Sequence, residues 1–281
     1  MKMIKLILLP ALLLCQPTLA KETPRLELPV SAPGDVGMSS EVLAKIDPTI
    51  ETLIEKKKLA GGSVLILRDG KIVYQKQFGH ANRAAKIPVK KDTIFRIYSM
   101  TKAITSAAAL MLSEEKKLNL DDPITRFLPE FSILNVWQRR GDPVPAEPMP
   151  TVRDLLRHTA GFSYGWGGHP VDRYYRRFKP LDRDKTLAEM ARSISRAPLL
   201  FQPGTRWNYG ISTDLLGRVV EVASGQTFDE FLKQRLFIPL GMLDTGFYVP
   251  AEKANRLADV FQTKGIFLTT SEPGKTSPFL K

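Results

Sequence analysis

One cysteine and three histidines are all that 281 residues offer of the side chains that most readily bind transition metals. The cysteine is Cys15, inside an apolar leader, so residues 21–281 hold neither a disulfide nor a thiol nucleophile. With only His80, His158 and His169 and no cysteine beyond the leader, a metal site is not expected, although a mixed histidine and carboxylate set stays open. No cofactor is expected. Long apolar runs are scarce too. Residues 6–15 form an apolar run too short to span a bilayer and remain there. Lys2 and Lys5 precede it, and Thr18-Leu19-Ala20 followed by Lys21 supplies a cleavage site. This is a secretory leader, residues 1–20, with cleavage expected after Ala20. A periplasmic or secreted protein without a stable membrane anchor is expected. Leu14 is bulky where a lipoprotein signal needs a small residue before its cysteine.

Negative charge is in the minority: 29 acidic residues face 41 basic ones, a formal net charge of +12. Such a surface is well solvated and allows weak contact with anionic envelope surfaces. The densest basic patch, residues 173–179, interleaves arginines with Tyr174, Tyr175 and Phe178, as nucleic-acid binders do. Export argues against a nucleic-acid partner, and the patch reads as a loop or helix face beside a cleft.

No internal repeat or low-complexity tract is present. Residues 21–37 are proline-rich and expected to be extended. Beyond them Val42, Leu43, Ile46, Ile50, Leu53 and Ile54 recur at helical spacing, and Pro48 must start a new segment or kink this one. Residues 62–67 and 72–78 are β-rich and flank Asp69-Gly70, a strong hairpin signal. Residues 99–112 are rich in Ala, Leu and Met and predict a buried helix. Shorter helices are expected at 152–157, 186–195 and 214–223, the last stopped by Gly225. Thr227 and Glu230 predict a capping box for another helix. The glycine- and aromatic-rich stretch 158–184 reads as a long loop. Two early strands followed by a long helical region indicate an α+β fold, in which the strands await partners.

Ser99-Met100-Thr101-Lys102 is an S-x-x-K motif. Positions i and i+3 share a helix face, so Lys102 can reach the Ser99 hydroxyl and take its proton. A serine needs such a base, and the positive end of a helix dipole favours the charge that develops on it. The motif alone is weak, because chance supplies about one such pair in a few hundred residues. Ser99 as a plain N-cap and Lys102 as a solvated lysine are the bland alternatives. A rival nucleophile is Ser163, since Gly161-Phe162-Ser163-Tyr164-Gly165 fits G-x-S-x-G. That motif needs a strand before it and a helix after it, and an Asp…His order downstream, none of which the sequence offers. His158 reads as a structural histidine bonding loop backbone.

Context strengthens Ser99. The segment 95–102, with the turn Leu118-Asn119-Leu120-Asp121-Asp122-Pro123, the stretch Leu155-Leu156-Arg157-His158-Thr159-Ala160-Gly161, and Pro203-Gly204-Thr205-Arg206-Trp207-Asn208-Tyr209, resembles the β-lactamase and penicillin-binding-protein family in order along the chain. The branch it resembles holds the class C β-lactamases and family VIII esterases. The resemblance implies a β-lactamase/transpeptidase-like α+β fold over residues 38–281, an antiparallel sheet flanked by helices plus a mostly helical lobe. It implies an acyl-enzyme on Ser99, with Lys102 and Tyr209 moving the proton. The family's second motif is Tyr-x-Asn, and here it stands as Tyr209-Gly210-Ile211. Ile211 cannot offer an amide-bearing substrate the hydrogen bonds of Asn, which favours ester over amide cleavage. A small-molecule ester or amide is the expected partner. A β-lactamase or D-alanyl-D-alanine carboxypeptidase is the alternative within the fold, and a non-catalytic, truncated or envelope-binding homologue the alternative outside catalysis. The family's third motif and its three late strands are not found. Lys275-Thr276-Ser277 is bracketed by Pro273 and Pro278 and reads as a loop. The chain is therefore expected to lack the family's C-terminal strands, one of which supplies an oxyanion-hole donor.

Overall fold

The computed structural model describes residues 28–265 and 267–281. The expected leader and residues 21–27 lie outside the described residues. The rest of the segment expected to be extended pairs and then turns. Val30 bridges Ile72 in parallel, and Pro33–Val36 closes a 3-10 turn.

Ser39 caps the first helix, α1 (Ser40–Ala44), its hydroxyl accepting the Val42 N–H at 3.2 Å. Helix α2 (Ile46–Glu55) follows at once. Pro48 lies in its first turn, where a missing N–H breaks no intrahelical bond. The hairpin forms where Asp69-Gly70 predicts it, between β1 (Gly61–Arg68) and β2 (Lys71–Asn82). Asp69 and Gly70 both have positive φ, 52° and 71°, the requirement of a turn that matches the strands' twist. A short β3 (Ile87–Pro88) adds to β2, giving the order β1-β2-β3. Val73 packs with Val36 and Leu43, so one face of the sheet is covered by the N-terminal helices, while Leu65 and Leu67 on β1 stay exposed.

Helix α3 (Thr101–Glu114) opens the helical lobe. After it come two paired bridges, β4 (Asn135–Val136) and β5 (Val144–Pro145), and then α4 (Val152–Arg157) and α5 (Asp172–Phe178). The lobe closes with α6 (Leu187–Ile194), α7 (Ser212–Ser224) and α8 (Phe228–Leu232). The core sits here. Ala108, Ala109 and Leu112 of α3 and Leu215, Leu216, Val219 and Val220 of α7 are all buried in one cluster. Each buried leucine contributes on the order of 1.5–3 kcal/mol. Helix α7 is thus the axle of the lobe, and its N-terminal turn lies just beyond Tyr209.

The structure corrects two local readings. The stretch 158–184 is not loop throughout, because α5 lies inside it. Tyr175 is its buried anchor, hidden in the sequence among arginines. Thr227 forms no capping box: its side chain makes no cap bond, and the Phe228 N–H goes instead to Glu221 of α7 at 3.1 Å. Working capping boxes stand at Thr151–Asp154 and Thr186–Glu189.

A late hairpin, β6 (Val260–Lys264) and β7 (Phe267–Glu272), was not legible in the sequence. It forms a sheet of its own and does not pair with β1. Arg96 ties it to the segment before Ser99, donating to the Ala258 carbonyl at 2.7 Å and pairing with Glu272 at 3.0 Å. Lys275 and Thr276 lie in a 3-10 turn outside any strand, as the loop reading expects.

Candidate active site

Tyr98 has φ of 41°, a left-handed conformation that costs a non-glycine residue on the order of 1–3 kcal/mol. It begins a tight 3-10 turn, Tyr98–Met100, that runs into α3. Ser99 sits in this turn, exposed, just ahead of the helix N-terminus. One helical turn on, the Lys102 ammonium donates to Ser99 Oγ at 3.3 Å. From the far side of the lobe, Tyr209 Oη donates to the same oxygen at 2.6 Å. The structure thus brings together all three residues singled out in the sequence. Lys102 Nζ also lies 4.9 Å from the centre of the Tyr209 ring and 5.5 Å from that of Tyr164.

Backbone contacts hold Tyr209 in place. The Asn208 N–H donates to the His158 carbonyl at 2.9 Å, and its side-chain amide to the Phe162 carbonyl at 2.9 Å. Gly210 must be glycine, since a Cβ there would stand 2.3 Å from the Phe162 carbonyl. Its N–H donates to His158 Nδ1 at 3.4 Å, and His158 Nε2 lies 3.4 Å from Thr213 Oγ1. Burial, helped by the Lys102 charge, holds the His158 pKa below its usual value. His158 is therefore a neutral post behind Tyr209.

The hydrogen bond to Ser99, with Lys102 next in effect, pulls the Tyr209 pKa below that of a free phenol. Its neighbour Tyr164 moves the opposite way, raised by burial and by the Asp214 carboxylate that accepts its proton at 3.0 Å. Burial likewise raises Asp214, against the pull of Tyr164 and Lys102. In the sequence alone Asp214 is only a helix start and Tyr164 only a loop residue. Their signal was positional: Asp214 follows Tyr209 by little more than one helical turn.

Ser163 is buried at 6% exposure. Its hydroxyl donates to Asp172 at 2.5 Å and accepts the Gly165 N–H at 2.9 Å. The G-x-S-x-G run lies in the loop between α4 and α5, not between a strand and a helix. Its serine is a brace. Ile211 is fully buried in the main core. A cleft of about 400 Å³ opens beside Tyr209, lined by Tyr164, Trp166, His169, Arg206 and Asn208 among others. Among the described residues no cluster of three His, Cys, Asp or Glu side chains is placed to hold a metal, and no helix is long and apolar enough to cross a membrane.

A helical lobe joined to an antiparallel hairpin that the N-terminal helices cover, with a serine, a lysine and a tyrosine converging at the lobe's edge, is the β-lactamase/transpeptidase-like α+β fold. The model of the Beta-lactamase family matches residues 46–275, and the chain belongs to that family. Esterase EstB of Burkholderia gladioli is 37% identical over 213 residues, covering 74% of this chain and 52% of EstB. Lovastatin esterase of Penicillium rubens is 32% identical over 239 residues, covering 82% and 57%. Among solved structures, EstCE1, described as a hydrolase with promiscuous acyltransferase activity, superposes with a TM-score of 0.73 at 29% identity, covering 83% of this chain and 60% of EstCE1. The chain spans about half the length of the curated relatives it matches.

Proposed function

We propose that this protein is a serine hydrolase that cleaves small-molecule esters through an acyl-enzyme on Ser99. The observation that carries the reading is the convergence of Lys102 Nζ and Tyr209 Oη on Ser99 Oγ, at 3.3 and 2.6 Å. With Tyr209 as the phenolate, which the Lys102 ammonium stabilises, the Ser99 hydroxyl passes its proton to Tyr209 Oη as Oγ bonds to the ester carbonyl carbon. The carbonyl oxygen takes the negative charge and meets the Ser99 backbone N–H at the mouth of α3. The tetrahedral centre collapses, the C–O bond to the alcohol breaks, and Tyr209 with Lys102 returns the proton to the leaving oxygen. Water then attacks the acyl-enzyme by the same steps, releasing the acid and restoring Ser99. The lowered Tyr209 pKa suits a proton carrier, since a base works best when its pKa nears the working pH.

Ester rather than amide cleavage is supported by Ile211, whose side chain is buried in the core and offers an amide substrate nothing. The esterases EstB and lovastatin esterase among the relatives agree with it. A peptidase or β-lactamase reading draws on Penicillin-binding protein 4* of Bacillus subtilis, 30% identical over 206 residues. Export through the leader at 1–20 and weak contact of the basic surface with an anionic envelope belong to the same reading. The test is a substrate ranking. Short-chain aryl esters are turned over and a chromogenic cephalosporin is not, and Ser99→Ala abolishes the turnover. A higher kcat/KM for the cephalosporin moves the protein to the β-lactamase reading.

A further inference from the structure

Of the three tryptophans, two stand in solvent near Tyr209, Trp207 against its ring and Trp166 one ring further out on Tyr164: Trp166 is 76% exposed and Trp207 67%. Looseness does not account for Trp166. The loop that carries it is clamped on both sides, the Arg176 guanidinium donating to the carbonyls of Gly165 at 3.0 Å and Gly167 at 3.2 Å. Gly165 has φ of +80°, and a Cβ on it would meet that of Tyr175 at 2.6 Å, so the turn requires glycine. Ser163 fixes the same turn from below by accepting the Gly165 N–H. The G-x-S-x-G run and the basic helix α5 thus act together to hold one indole out in water.

One face of that indole is stacked on Tyr164, with centroids 4.4 Å apart and planes at 15°. Tyr164 lies 5.6 Å from Tyr209, and Tyr209 is bonded to Ser99. A chain of aromatic ring contacts therefore links the proposed reacting hydroxyl, through Tyr209 and Tyr164, to Trp166. An indole held rigidly, with one face already stacked and the other open to water, is preorganised to receive something flat and apolar. We propose that Trp166, backed by Tyr164, is a binding face for a flat aromatic group of the ester, making aryl-bearing esters the preferred substrates. The inference rests on the ester-hydrolase reading above and names the substrate class of that site.

The experiment compares 2-naphthyl acetate with ethyl acetate in the wild-type chain, Trp166→Ala and Trp166→Phe, with fluorophosphonate labelling of Ser99 measured in each. Comparing the ratio of kcat/KM for the two esters between variant and wild type cancels their intrinsic difference in reactivity. Trp166→Ala lowers that ratio by about 3- to 10-fold, the span expected for one lost aromatic contact. The loss lies mainly in KM, Trp166→Phe recovers part of it, and Ser99 is still labelled. Both esters cleaved with a ratio unmoved by Trp166→Ala overturns the aromatic face and leaves the ester reading standing. An equal loss for both esters also overturns it, because Trp166 then supports the loop rather than the substrate. Neither ester cleaved, with Ser99 unlabelled in the wild type, overturns the ester reading and this inference with it.

Discussion

Tyr209 reaches Ser99 across 110 positions of sequence and donates to its hydroxyl at 2.6 Å. The bond joins the two halves of the helical lobe, since Ser99 precedes α3 and Tyr209 precedes α7. The packing of α3 on α7 through Ala108, Ala109, Leu215 and Leu216 therefore sets the distance at the site. Ser99 is thereby placed, before substrate arrives, to give its proton to Tyr209 once that phenol has ionised.

Tyr209→Phe removes only the phenolic oxygen. It lowers kcat by about 10²-fold or more, within the range of a lost acid–base group, and leaves KM within about 2-fold. Lys102→Ala has a similar effect, and the double variant is little worse than either, because the two act on one proton. Steady-state kinetics on an aryl acetate checks this; losses that multiply in the double variant contradict it.

Asp214 is expected to trade stability for activity. Its pKa is raised by burial, so its charged form costs stability as pH rises above the ordinary carboxylate range, and the neutral form is favoured below it. Asp214→Asn keeps an acceptor for Tyr164 and removes the buried charge. Its Tm at pH 7 equals or exceeds that of the wild type, while kcat falls roughly tenfold, the order of loss expected when a charge beside an acid–base group is removed. Differential scanning fluorimetry and kinetics on the same preparation read both. A lower Tm with unchanged kcat contradicts the assignment.

Ser163 braces its loop through Asp172. Ser163→Ala leaves a buried carboxylate short of one donor and costs about 1–3 kcal/mol of stability. The same variant still labels at Ser99. Thermal unfolding gives the first result and mass-mapped labelling the second.

Acid sensitivity is expected at Asp244, whose carboxyl is held down at about 2, chiefly by the hydrogen bond from Arg256. A carboxyl depressed when folded stabilises fully above its unfolded value of about 4 and loses that contribution as pH falls through the folded value. Asp244→Asn flattens the stability profile between about pH 4 and 2. Tm measured across that window checks it, and a slope equal to the wild type's contradicts it.

Much of this was written in the sequence locally. The S-x-x-K spacing places Lys102 beside Ser99 because a helix puts i and i+3 on one face. Asp69-Gly70 forces its turn because both residues adopt positive φ. Tyr209 was legible only through the ordered resemblance, since no local rule links it to Ser99. Tyr164 and Asp214 were missed because a loop tyrosine and a helix-start aspartate carry no chemistry until packing joins them. Helix α5 stays open in the sequence between a loop and a helix face because its one buried ring, Tyr175, is outnumbered by basic residues, of which Arg176 holds the loop. The β6–β7 hairpin was missed because its strands show little alternation, and most of its residues are exposed or half-buried.

The central claim is that Ser99 carries the acyl group. Fluorophosphonate labelling of the intact protein, followed by proteolysis and mass mapping of the adduct, tests it most directly. The account predicts one modified residue, Ser99, with labelling abolished by Ser99→Ala and slowed at least about 10²-fold by Lys102→Ala. An adduct at Ser163, or ester hydrolysis that persists in Ser99→Ala, contradicts it.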